Sequence, residues 1–170
     1  RTVDPEMGYL AAIAGSLIPH IGGVAGGYIT YSKLDGFYKN LRKPWWTPPR
    51  RAFPIVWTTL YTGMGYASYL VWRDGGGFTG SARLPLMCYG IHLGLNWAWT
   101  PIFFGMEKIG LAFAEIVALW GSIAATMFMF YPINPVSSYI MGPYLAWVSL
   151  ATALNYSIWK NNKEKAIKDD

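Results

Sequence analysis

Charged residues in this chain stand in clusters, and long uncharged stretches run between them. No charge falls from Met7 to Ser32, from Ala52 to Trp72 or from Leu84 to Met106, and past Lys108 only Glu115 interrupts the run to Lys160. A helix needs about 20 mostly apolar residues to cross roughly 30 Å of hydrocarbon. Each of the first three stretches therefore holds one span. The fourth is long enough for two, and Pro132 and Pro135 divide it by removing backbone donors and disfavouring helix before them. The pattern predicts an all-α integral membrane protein, a five-transmembrane-helix bundle with spans at about 8–31, 52–72, 84–105, 108–130 and 137–159.

The composition excludes other classes. Only 14% of residues are charged, against about 25% in a soluble domain, too few to cover a water-facing surface, while 53% hydrophobic residues exclude disorder. A net charge of +5 suits nucleic acid only when the basic residues share an exposed face; here they sit between apolar runs, so no nucleic-acid partner is expected. Cys88 is the sole cysteine and His20 and His92 the only histidines, so neither a disulfide nor a metal site is expected. The first apolar run is too long for a cleaved signal and lacks its basic leader. Residues 1–7 read as a polar N-terminal segment with Met7 as the natural start, 8–160 as the transmembrane domain and 161–170 as a charged tail.

Orientation follows from the basic residues. The first loop carries Lys33, Lys39, Arg42, Lys43, Arg50 and Arg51, the third Lys108, and the tail Lys160, Lys163, Lys165 and Lys168. The opposite side has only Arg1, Arg73 and Arg83. The asymmetry places the first loop and the C-terminus in the cytoplasm.

Several residues within this frame carry information. Gly22, Gly23, Gly26 and Gly27 form two overlapping GxxxG pairs, suited to close helix packing or to room for a ligand. Gly90 and Gly94 form another, suited to a homodimer seam. Lys43-Pro44-Trp45-Trp46-Thr47-Pro48-Pro49-Arg50 combines rigid prolines with interfacial tryptophans, as an anchor or as a lid over the bundle's mouth. Before it, Phe37 to Leu41 is expected to form a short interfacial helix. Glu115, two turns beyond Lys108, is expected to face the bundle interior. Asn96 and Asn155 can bond another helix or a ligand's polar end, and the two histidines read as hydrogen-bonded structural residues. Trp57, Tyr61, Trp97, Trp99, Trp120 and Trp147 fall inside spans, where they can line a site for a large flat apolar ligand. No carboxylate pair at a spacing suited to acid–base work, nucleophile beside a basic partner, or Gly-rich phosphate loop opening a helix is present in the sequence. Leu154, Tyr156 and Lys160 fit a proposed cholesterol pattern that also arises by chance at helix ends.

Taken together, these strings resemble the translocator protein family, also called peripheral benzodiazepine receptors or tryptophan-rich sensory proteins. The resemblance rests on Lys43 to Pro49, Phe53-Pro54-Ile55-Val56-Trp57, Asn96 to Gly105, Pro143-Tyr144-Leu145-Ala146-Trp147 and Ala151 to Lys160, in that order, and covers about Ile18 to Asn162. Gly63 to Tyr66 and Tyr69 to Trp72 are more similar to the animal branch. The resemblance implies a multi-pass protein of the mitochondrial outer membrane. It implies cholesterol and porphyrins (protoporphyrin IX or haem) as ligands, beside synthetic benzodiazepines and isoquinoline carboxamides, with no cofactor. The ligand site it implies comprises Gly27, Thr30, Trp57, Tyr61, Asn96, Trp99, Leu111, Trp147, Ala151 and Leu154, with Leu154, Tyr156 and Lys160 as the cholesterol motif. Leu111 stands where mammalian members have tryptophan, and Gly27 and Thr47 where they have alanine and histidine, so drug affinity is expected to differ.

Three functions stay open at this point. The first is binding and transport of sterols and tetrapyrroles across or within membrane lipid. The second is a tryptophan-dependent, light-driven degradation of porphyrin, for which the resemblance implies Trp57 and Trp147. The third is a signalling scaffold acting through partners such as the voltage-dependent anion channel.

Overall fold

The computed structural model describes residues 5–169, with side chains for 6–163. Most of the polar segment before Met7, and the side chains of Arg1, Lys165 and Lys168 used in the orientation argument, lie outside the described residues. Those described form helices and turns, with no strand.

Five long helices run as α1 (Pro5–Lys33), α2 (Ala52–Asp74), α3 (Arg83–Thr100), α4 (Ile109–Phe130) and, after a short α5 (Pro135–Ile140), α6 (Gly142–Asp169). Their ends have local causes. Pro54 and Pro85 sit in the first turns of α2 and α3, where a missing N–H costs nothing. Past α2, Gly76 and Gly77 adopt φ of 76° and 71°, a left-handed conformation that glycine enters without strain. Pro101 ends the α-form of the third span, because its ring cannot fit the regular ladder. The chain widens there into a π turn, Pro101–Gly105, closed by Met106 N donating to the Pro101 carbonyl at 2.8 Å. α4 stops just before Pro132. Asn134 then caps α5, its side chain accepting from Ser137 N at 3.0 Å with Pro135 in the first turn.

Two expectations need correcting. Phe37 to Leu41 is not a separate helix: α1 continues through a π turn, Leu34–Tyr38, as far as Asn40. The last span is interrupted at Met141, ahead of Gly142-Pro143, so the stretch expected as one helix from 137 is α5 plus α6. α6 runs on into the charged tail as far as Asp169, a point on which the sequence carried no expectation.

Around the bundle the order is α1, α2, α6, α4, α3, with α3 returning to α1 and α5 seated against α2. Met64, Val71, Leu119, Ile123, Tyr144 and Val148 fill the centre, and Tyr38, Phe103, Phe104, Leu154 and Ile158 fill the end beneath the first loop. α1 and α2 come into backbone contact at Gly15 and Gly65, where a Cβ on Gly65 would collide with the Gly15 carbonyl oxygen. Pro19 is the reason that oxygen is available: with no N–H, it leaves the carbonyl four residues earlier without its helical donor. Outward, Leu10, Ile13, Leu17, Ile21, Val24 and Tyr28 of α1 are exposed. The segments Glu6–Tyr38 and Ile109–Phe130 are long and apolar enough to cross a membrane.

Candidate functional site

Six of the ten expected ligand residues fall into three groups, and Ala151 packs against the bundle core. Trp57, Tyr61 and Asn96 come together at the bundle centre with Tyr144, which the sequence reading did not single out. The Trp57 ring lies 5.3 Å from Tyr61 and meets Tyr144 edge-on at 6.2 Å. Tyr61 donates to Asn96 Oδ1 at 3.0 Å, Asn96 Nδ2 donates to the Tyr144 hydroxyl at 2.8 Å, and His92 Nε2 lies 3.1 Å from that hydroxyl. Asn96 thus joins α2, α3 and α6, which is how a membrane-embedded amide avoids an unpaired polar group.

The second group sits toward the first loop. Trp99 stacks on Phe103 at 4.7 Å and donates to Asn155 Oδ1 at 2.9 Å. Asn155 Nδ2 in turn donates to the Ile109 carbonyl at 3.0 Å. Both asparagines therefore bond other helices, and His20 Nε2 reaches the Thr62 hydroxyl at 2.9 Å. Leu154 is buried beside this group.

Trp147 belongs to the third. It meets Phe53 edge-on at 5.7 Å and lines a lateral groove of about 500 Å³ between α2 and α6, with Ile55, Val56, Thr59, Leu60, Pro143, Ala146 and Leu150. Small-molecule sites span roughly 300–1,000 Å³. The groove is apolar: the Thr59 hydroxyl is turned to the Ile55 carbonyl at 3.0 Å. Among the described residues, the Trp147 indole N–H and both Glu115 carboxyl oxygens are buried without a hydrogen-bond partner. A hollow of about 220 Å³ between α4 and α6, beside Trp120 and Ser149, is smaller than such sites.

Leu111, Tyr156 and Lys160 lie elsewhere. Leu111 is 50% exposed on α4, and the cholesterol motif divides between two faces, Leu154 at 7% exposure pointing inward and Tyr156 at 45% pointing out against Phe113 and Trp159. Lys160 is exposed. Among the glycines, Gly22 and Gly23 make room for Trp97 and Tyr61: a Cβ on Gly22 would overlap the Trp97 indole, and one on Gly23 would stand 2.7 Å from the Tyr61 ring. Gly26 faces Thr100, whereas Gly27, Gly90 and Gly94 face open space.

The first loop folds over one end of the bundle. Trp46 packs toward the Phe103–Phe104 cluster, while Trp45 stays 95% exposed. The Lys43 ammonium donates to the Tyr38 and Leu41 carbonyls at 2.7 and 3.0 Å and lies over the Tyr38 ring. Burial, with the Arg50 charge second, holds that ammonium below its ordinary pKa. Asn162 of α6 fastens the loop by bonding both the N–H and the carbonyl of Arg42. Lys33 pairs with Glu107 at 2.8 Å, tying α1 to the α3–α4 turn.

Comparison with known proteins places the chain in a family. The chain matches the TspO/MBR family over residues 15–160. It is 41% identical to the translocator protein of Homo sapiens over 158 residues, covering 93% of this chain and 90% of the relative. It is 39% identical to that of Sus scrofa over 155 residues, covering 91% and 92%. A tryptophan-rich sensory protein from Cereibacter sphaeroides is 40% identical over 130 residues, covering 76% and 79%. With the match running from the middle of α1 to the end of the aromatic part of α6, the chain belongs to the TspO/MBR family of membrane proteins.

Proposed function

We propose that this chain is a five-span translocator or receptor of the mitochondrial outer membrane that binds cholesterol and porphyrins, with its C-terminus in the cytoplasm. The end of α1 and the first loop lie at the cytoplasmic interface, where Lys39 and Arg42 meet headgroups and Trp45 anchors. The observation that carries the reading is an apolar groove of about 500 Å³ lined by Leu60 and Trp147, which belong to the same packed core as the Trp57–Tyr61–Tyr144 cluster. A flat apolar molecule dissolved in the bilayer can enter between α2 and α6 and rest on aromatic faces. A second, lipid-facing sterol site forms at Tyr156 and Lys160, four residues apart on α6, with the lysine reaching headgroup level. Transport is tested with purified protein in sealed vesicles: it accelerates porphyrin movement between leaflets, whereas a protein that only binds leaves the rate at that of protein-free vesicles.

One observation favours a catalytic reading as well. The Trp147 indole lines the groove with its N–H unpartnered among the described residues, so an oxidisable ring stands against a bound porphyrin. Trp147→Phe then lowers photodegradation more than affinity; equal loss of both removes the catalytic reading.

A further inference from the structure

Four side chains form a row of hydrogen bonds across the bundle centre, and a backbone carbonyl fixes its direction. His92 Nδ1 lies 2.8 Å from the Tyr89 carbonyl oxygen, which can only accept, so Nδ1 carries the hydrogen. The ring is fully buried, and its two partners, a carbonyl and a phenol, bear no negative charge. A second ring proton would bury an unpaired cation, so the ring is neutral and Nε2 is bare. Tyr144, 3.1 Å away, therefore donates to Nε2. Its single hydrogen is used there, so it accepts from Asn96 at 2.8 Å, and Asn96 must turn its amide nitrogen toward it. That leaves Asn96 Oδ1 facing Tyr61, which donates at 3.0 Å. Each link determines the next. The Tyr61 hydrogen is consumed inside the row, and its oxygen is left with only lone pairs to offer.

We propose that His92 is a specificity-determining positioning residue. Acting through Tyr144 and Asn96, it sets Tyr61 as a hydrogen-bond acceptor, so the site favours apolar ligands that bring an N–H or O–H donor over matched ligands that bring only carbonyl acceptors. The inference rests on the ligand site given under Proposed function. Removing the Nε2 acceptor frees the Tyr144 hydrogen for Asn96 Oδ1. The amide then turns over and donates to Tyr61, and the Tyr61 hydrogen is released toward the ligand.

The test uses two neutral probes, the diamide and the dimethyl ester of protoporphyrin IX. They share the ring and the carbonyls, and only the diamide has N–H donors. Their affinities for the full chain in vesicles are read from quenching of tryptophan fluorescence. The diamide-to-ester affinity ratio falls about tenfold in Tyr61→Phe and in His92→Phe, the scale of one hydrogen bond lost from a buried site. In His92→Gln it stays at the wild-type value, because Nε2–H of glutamine can donate to the Tyr89 carbonyl while Oε1 accepts from Tyr144. An unchanged ratio in Tyr61→Phe, or a ratio in His92→Gln as low as in Tyr61→Phe, overturns the proposal even if His92→Phe does not fold. Binding of neither probe overturns the ligand site itself, a different outcome from equal binding of both.

Discussion

Asn162 holds the backbone of Arg42 at two points, its Oδ1 accepting from the Arg42 N–H at 3.0 Å and its Nδ2 donating to the Arg42 carbonyl at 3.1 Å. One side chain near the end of α6 thereby fixes a loop that lies 120 residues away in sequence.

Loss of that clasp loosens the loop. In Asn162→Ala, trypsin cuts the intact protein in detergent faster at Arg50 and Arg51, while the unfolding midpoint changes little, since the core is untouched. Cleavage at the wild-type rate contradicts a fastening role for Asn162.

Gly65→Ala lowers stability by about 1–3 kcal/mol, as expected when an added methyl group has backbone rather than a flexible side chain in its way. The methyl would collide with the Gly15 carbonyl oxygen and push α1 from α2. Gly27→Ala, whose Cβ meets nothing within 4 Å, leaves stability unchanged. Unfolding in detergent compares them, and equal losses would show that α1 and α2 are not in the described contact.

Tyr156→Ser weakens cholesterol binding by about 1–2 kcal/mol, the scale of part of an aromatic contact, and spares isoquinoline carboxamide binding. The reason is that Tyr156 faces outward while the Trp57–Tyr61 cluster faces inward. Radioligand binding of both compounds to the same preparation decides it: equal loss of both means that one site serves both.

The Asp74 carboxyl, at the end of α2, is held below its ordinary value of 3.8 by its hydrogen bond to Arg73 first and by Asn134 as well. A depressed folded-state pKa adds stability that is present above the unfolded value and lost as pH falls through the folded one. Wild type therefore shows a decline in its unfolding midpoint below about pH 4 that Asp74→Asn lacks. The same acid decline in both proteins assigns it to another carboxylate.

Much of this architecture is legible in the sequence because lipid imposes simple rules. Uncharged runs mark helices, and Pro132 and Pro135 mark an interruption, whereas the change of form at Pro101 falls inside a run expected as one span from 84 to 105. The continuation of α1 to Asn40 was not legible, since Lys33 and Asp35 read as a boundary. Their charges are met instead by Glu107 and Arg50 from other segments. The break at Met141 was hidden for a similar reason, as Gly142-Pro143 lies inside an apolar run. At the candidate site, residue types were readable but partners were not. Tyr144 looked like one more aromatic, and its place between Asn96 and His92 exists only once α3 and α6 lie side by side. Gly15 was missed because its partner Gly65 is on another helix, whereas the GxxxG spacing looks only along one.

Saturable binding of protoporphyrin IX to the reconstituted chain tests the central claim most directly, read as quenching of tryptophan fluorescence against protein-free vesicles. The account predicts a single saturating phase that weakens when Trp57 or Trp147 is replaced by alanine and persists when exposed Trp45 is replaced. Quenching that rises linearly with porphyrin, as partition into lipid does, or that is indifferent to Trp57 and Trp147, would contradict it.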